Sequence, residues 1–203
     1  PVPTAISNLP QSKNYANVDS IYYRAIQLLH VGDVRSATQT ILLIKTSARA
    51  HLFRGILCIG GFGHMKQDYT NAVWHFKSVG NECPIAKGLL AYCVHRGFGC
   101  AKNKQEGNAL ASQAFQELHH SKDPLRSLVA GILLGFGIGN EMNLRSAITM
   151  LYESVKIGNP LAQVYLAVLL MKRSSMQDLS QSLSLLRSAG KFDCTFTSPC
   201  ISQ

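Results

Sequence analysis

Charge is scarce in this chain. Asp, Glu, Lys and Arg make up 15% of its 203 residues, against the quarter or so usual for globular domains. Acids are scarcer than bases: 11 Asp and Glu face 20 Lys and Arg, a formal net charge of +9. The carboxylates are few and scattered, so no pair for general acid–base chemistry can be put together. No Gly-x-Ser-x-Gly nucleophile turn occurs either. The chain therefore reads as a non-enzyme. Long apolar runs are also lacking. The longest, residues 161–171, contains Gln163 and is far shorter than the ~20 residues that cross a bilayer.

Basic clusters are missing despite a pI near 9.4. The densest groups are Lys102-Asn-Lys104 and Lys172-Arg173, well short of the roughly five- to eight-residue runs of nucleic-acid patches. Nucleic acid is thus a disfavoured partner, and an acidic protein segment a better one. Six cysteines are present, but they do not recur at matching repeat positions: Cys58 stands 8 after Ala50, Cys93 stands 7 after Ala86. Regular disulfide staples would recur. There is no Asn-x-Ser/Thr sequon, and a reducing compartment (cytoplasm, nucleus or organelle matrix) is the expectation.

What the chain does have is a repeat. Ala50 to Gly61, Ala86 to Gly97 and Arg126 to Gly137 each span 11 positions. In each, an apolar stripe at helical spacing runs into a Gly-x-Gly, and a second helical stripe follows. Leu52, Phe53, Ile56 and Leu57 form the first such stripe, and Ala72, Val73, Phe76 and Val79 its partner. Pro84, Pro124 and Pro160 stand 40 and 36 apart and suit first-turn helix positions. A fixed period of this length means stacked helical hairpins. Helix-ending glycines supply the positive φ a tight turn needs, and a second glycine lets backbones approach. Ala72, Ala109 and Ala147 are placed at the start of each second helix for close packing.

Ala86-x2-Leu89…Gly97-Phe98-Gly99…Ala109 resembles the Sel-like repeat family, a relative of the tetratricopeptide repeats. So do Ala50…Gly61-Phe62-Gly63…Asp68…Ala72-Val73-Trp74 and Gly137-Ile138-Gly139…Ala147. The resemblance implies an all-α, right-handed α-solenoid of four to five hairpins that scaffolds protein complexes. It brings no catalytic residues and no cofactor. Residues 1–18 read as a flexible leader, 19–190 as the repeat domain and 191–203 as a tail that could dock on the last hairpin. The 19–44 segment is a divergent first hairpin. In the last unit Arg173-Ser174-Ser175 replaces Gly-x-Gly, with Leu183, Leu186 and Ala189 as its final stripe.

Three other constellations are weaker. Gly135-x-Gly-x-Gly139 lies between helices rather than in a βαβ unit, so it is a turn and not a phosphate loop. Cys93-x-His95-x4-Cys100 lacks the close cysteine pairs of zinc sites. No metal is assigned. Phe62, Phe98 and Phe136 recur in the turns and are read as plugs between hairpins. First helices of stacked hairpins line a concave face, and their non-stripe positions carry Arg54, Lys87, His95, Arg96, Lys172 and Arg173. The expectation is a basic concave face that attracts an acidic segment of another protein. The alternative is a subunit or assembly factor of a large, RNA-containing or organellar complex.

Overall fold

The computed structural model describes residues 15–44, 47–62, 66–80, 83–118, 120, 123–173 and 175–190. Ten helices and no strand occur among them. They are α1 (Tyr15–His30), α2 (Val34–Leu42), α3 (Ala48–Gly60), α4 (Tyr69–Val79), α5 (Pro84–Arg96), α6 (Lys104–Leu118), α7 (Arg126–Phe136), α8 (Leu144–Lys156), α9 (Pro160–Arg173) and α10 (Met176–Gly190). Consecutive pairs form five hairpins, and each hairpin packs on the next. The fold is an all-α solenoid, as the repeat period requires.

A polar side chain three residues back caps the start of each second helix. Asp33, Asp68 and Asn143 accept the N–H groups of Ser36, Asn71 and Ser146. Asn103 Oδ1 accepts from Glu106 N at 3.1 Å, and Ser175 Oγ accepts from Asp178 N at 3.1 Å. These bonds satisfy orphan donors of the first turn. Counting four residues on from the first four caps gives Ala37, Ala72, Gly107 and Ala147, all buried, whereas Leu179, four on from Ser175, is exposed. This corrects the sequence register in the third hairpin: the close-packed small residue is Gly107, while Ala109 is exposed. A Cβ on Gly107 would lie 2.8 Å from the Cα of His95.

The glycine turns have the geometry expected of them. Gly61, Gly97 and Gly137 end α3, α5 and α7 in the left-handed conformation. In the two later turns the second glycine makes the contact between hairpins; Gly63 lies outside the described residues. Gly99 sits at φ +70°, and a Cβ there would be 2.2 Å from the carbonyl oxygen of Tyr69. Gly139 sits at φ +72°. Its N–H donates to Asn108 Oδ1 at 3.1 Å, and Ser112 Oγ donates to its carbonyl. That N–H is bonded to α6 of the preceding hairpin, so Gly139 joins the third and fourth hairpins.

Other details depart from the sequence reading. Helix α1 already includes 15–18, so the repeat domain's first helix begins ahead of Asp19; residues 1–14 and 191–203, most of the expected leader and the whole tail, lie outside the described residues. Pro84 and Pro160 open α5 and α9, but Pro124 precedes α7, in a turn where Asp123 Oδ1 accepts from Leu125 N at 2.9 Å. In α10 the buried face is Asp178, Ser182 and Ala189, whereas Leu183 is 57% exposed. Arg173 pairs with Asp178 across the turn that lacks glycines.

The largest correction concerns the concave face. Every residue from Pro160 to Leu170 of α9 is buried, as is every residue from Leu128 to Gly135 of α7. Helices apolar all round belong to an interior. Curvature closes the inner side: Tyr92 of α5 meets Tyr165 of α9 edge-on, with ring centroids 5.6 Å apart. α1 lies along the turns before α7 and α9. Tyr22 reaches Asp123 there, and a Cβ on Gly158 would stand 2.3 Å from the carbonyl oxygen of His30. The first helices of the hairpins are therefore the core, and the second helices carry the outer face.

Candidate partner-binding surface

Burial of the first helices divides the six basic candidates. Lys87 is 8% exposed, and its Nζ donates to Glu117 Oε1 of α6 at 2.6 Å. Its charge is spent inside the third hairpin, so it belongs to the fold rather than to a docking face. Arg54 is partly buried in α3, with a guanidinium nitrogen 3.4 Å from the Ile44 carbonyl. His95 is partly buried, and its Nδ1 has no hydrogen-bond partner. Burial, then Lys104, Arg96 and Lys102, lower its pKa from the ordinary imidazole value. Arg173 is exposed but ion-paired: its Nε donates to Asp178 Oδ2 at 2.7 Å. Those bonds hold the Asp178 carboxyl well below the usual carboxylate range.

Arg96 and Lys172 come together. Arg96 ends α5, Phe136 ends α7, and Lys172 is next to last in α9. Lys172 Nζ lies 4.4 Å from the Phe136 ring centroid, and the Arg96 guanidinium carbon lies 5.8 Å from it. Arg96 is also 5.8 Å from Phe98. Both cations are within the ~6 Å range of attraction to a ring face. Helix C-termini carry partial negative charge, which also favours cations there. Three hairpins thus present two positive groups around one aromatic ring.

The repeating phenylalanines do plug gaps. Phe62 is 1% exposed. Phe98 packs on Tyr69 and Tyr92 with centroids 4.8 and 5.6 Å apart. Phe136 packs on Tyr92 at 5.6 Å and Tyr165 at 6.3 Å. Sequence reasoning missed that Phe136 is the centre of the cationic pair. The available signal was its offset: Phe136 precedes the helix-ending Gly137, whereas Phe62 and Phe98 follow Gly61 and Gly97.

A depression of about 550 Å³ lies between α6, α7 and α8. Phe115, Leu118, Ala130 and Met150 line it with Arg126 and Arg145. Cys58, Cys83, Cys93 and Cys100 are free thiols. Cys93 is fully buried, and burial pushes its thiol pKa far up. Cys194 and Cys200 lie outside the described residues. Among those residues, no three His, Cys, Asp or Glu side chains gather as a metal cluster, and no helix is long and apolar enough to cross a membrane.

No protein-family profile matches the chain, and no curated protein matches it. Solved structures do. The chain is similar to a Sel1 repeat protein. That structure, from Oxalobacter formigenes, shares 16% identity over 84% of this chain and 68% of its own, with a TM-score of 0.44. A second similar structure is c5321, a protective antigen of uropathogenic Escherichia coli strains displaying an SLR fold. It shares 15% identity over 87% of this chain and 46% of its own, with a TM-score of 0.36. The chain thus spans under half the length of that antigen. Its own five hairpins, with their glycine turns and capped second helices, make it an all-α solenoid of helical hairpins.

Proposed function

We propose that this solenoid is a non-catalytic scaffold that holds an acidic segment of another protein against Arg96, Lys172 and Phe136. The observation that carries this reading is the meeting of the two cations over one ring, from helices two hairpins apart. Charge complementarity supports it: bases outnumber acids nearly two to one along the chain. The cationic groups rest on a rigid aromatic floor, so little ordering accompanies capture of a carboxylate. A peptide pairing an acidic residue with an apolar one fits this surface, because the ring offers an apolar contact beside the charges.

A displayed peptide library tests the reading. Acidic peptides should be enriched, and their affinity should drop several-fold or more for the Arg96→Glu/Lys172→Glu protein. Undiminished binding by that variant overturns the assignment. Tight RNA binding that falls steeply with salt would instead favour the alternative, a subunit or assembly factor of an RNA-containing complex.

A further inference from the structure

Away from that surface, the second hairpin brings two imidazoles together, tilted 52° to one another. His51 is on α3 and His75 on α4. Their Nδ1 atoms are 3.0 Å apart, and both side chains are partly buried. Trp74, 57% exposed and the sole tryptophan of the chain, packs edge-on against both rings, at 5.4 Å from His51 and 4.9 Å from His75. None of the repeat features needs this arrangement. The glycine turns, caps and core are complete without it.

We propose that His51 and His75 form a two-imidazole site for a late first-row divalent cation such as Ni2+ or Cu2+. Two cis nitrogens bound at about 2.0–2.1 Å to one ion in square-planar or tetragonal geometry stand about 2.9 Å apart. The observed separation is within a few tenths of an ångström of that value, so small side-chain rotations suffice. Imidazole suits these metals, and affinity rises from Ni2+ to Cu2+ in the usual order. Only neutral imidazole ligates. Burial, helped by the Arg54 charge, lowers the pKa of both rings and keeps them in that form. In the empty site one Nδ1 carries a proton and donates to the other. On binding, that proton moves through solvent to Nε2 of the same ring, so two neutral imidazoles bind without net proton release. Water completes the coordination shell, which makes the site open and exchangeable rather than a structural zinc knot.

The test uses the untagged chain and Ni2+, which does not oxidise the free thiols. Trp74 is the reporter. Its fluorescence should be quenched as one equivalent of Ni2+ binds, with matching stoichiometry by calorimetry. His51→Ala and His75→Ala should each weaken binding roughly tenfold or more, while His95→Ala should leave it unchanged. Circular dichroism of the variants confirms that they remain folded, and the milder His51→Gln and His75→Gln substitutions repeat the comparison if they do not. No quenching at millimolar Ni2+, or quenching retained when either histidine is replaced, overturns the proposal.

Discussion

The Tyr22 hydroxyl donates to Asp123 Oδ2 at 3.1 Å, joining positions 101 residues apart. Arg49 completes the clasp, with Nη1 3.0 Å from the same carboxylate oxygen and Nε 3.0 Å from Asp19. Burial pushes the Asp123 carboxyl pKa up, while the Leu125 N–H, Arg49 and Tyr22 pull against that rise. The clasp fixes α1 over the turn before α7.

Removing the carboxylate should therefore loosen the whole array rather than one hairpin. Asp123→Ala leaves Arg49 and a buried phenol without this acceptor, at a cost of about 3 kcal/mol or more. Tyr22→Phe removes one hydrogen bond and should cost about 1 kcal/mol. Urea denaturation of the two variants checks the order. Equal and small losses would show that α1 is held by apolar packing alone.

His30 should make stability fall in acid. Burial lowers its pKa to about 4 from 6.5, and its Nε2 has no partner. Between those values the unfolded chain binds a proton that the native state does not. Stability on this account is complete above pH ~6.5 and falls by up to about 3 kcal/mol as pH drops toward 4. His51, His75 and His95 shift in the same direction, so the decisive measurement is the difference between wild type and His30→Leu. A variant with an undiminished acid slope would remove His30 from the account.

Much of the fold was legible because backbone geometry forces residue type. Only glycine serves well at the φ of +59°, +78° and +63° that ends α3, α5 and α7, so the 11-residue interval showed in the sequence. The second-helix register was less legible in the third hairpin. Ala109 looked like the packing residue, yet the caps fix Gly107 there. Gly107→Ala should destabilise by about 1–3 kcal/mol through the clash with the His95 backbone, opposite in sign to the usual helix gain of roughly 0.5–1 kcal/mol. Ala109→Gly should cost only about 1 kcal/mol of propensity. The site was legible as residue types but not as a place. Periodicity marks faces of a helix, and it does not report how tightly successive hairpins curl.

Two glycines with similar φ separate backbone strain from contact. Gly80 has φ +81°, and a Cβ there meets nothing within 4 Å. Gly80→Ala should cost about 1–3 kcal/mol, the backbone strain alone, because its φ of +81° with ψ −176° lies in a region that essentially only glycine adopts. Gly139 has φ +72°, and its Cβ would be 2.6 Å from Ala111 Cβ and 2.7 Å from the Asn108 carbonyl oxygen. Gly139→Ala should add about 1–3 kcal/mol to that penalty. Equal melting temperatures for the two variants would mean the contact between the third and fourth hairpins can relax freely.

Charge reversal should likewise split the basic candidates into those that build the fold and those that face outward. Lys87 is nearly enclosed and bonded to Glu117, which is 44% exposed. Lys87→Glu would set two carboxylates side by side with one of them enclosed, and should cost about 2 kcal/mol or more. Lys172 is exposed and Arg96 half-buried, and both lie over Phe136. Reversing them forfeits two cation–π contacts worth about 0.5–1 kcal/mol each at exposed sites, so the fold should survive with helicity unchanged. Binding of an acidic peptide should fall in that double variant and in proportion to salt in the wild type. A melting temperature that drops as far for Arg96→Glu/Lys172→Glu as for Lys87→Glu would show the pair to be structural glue between hairpins, and would remove the geometric basis for placing the partner there.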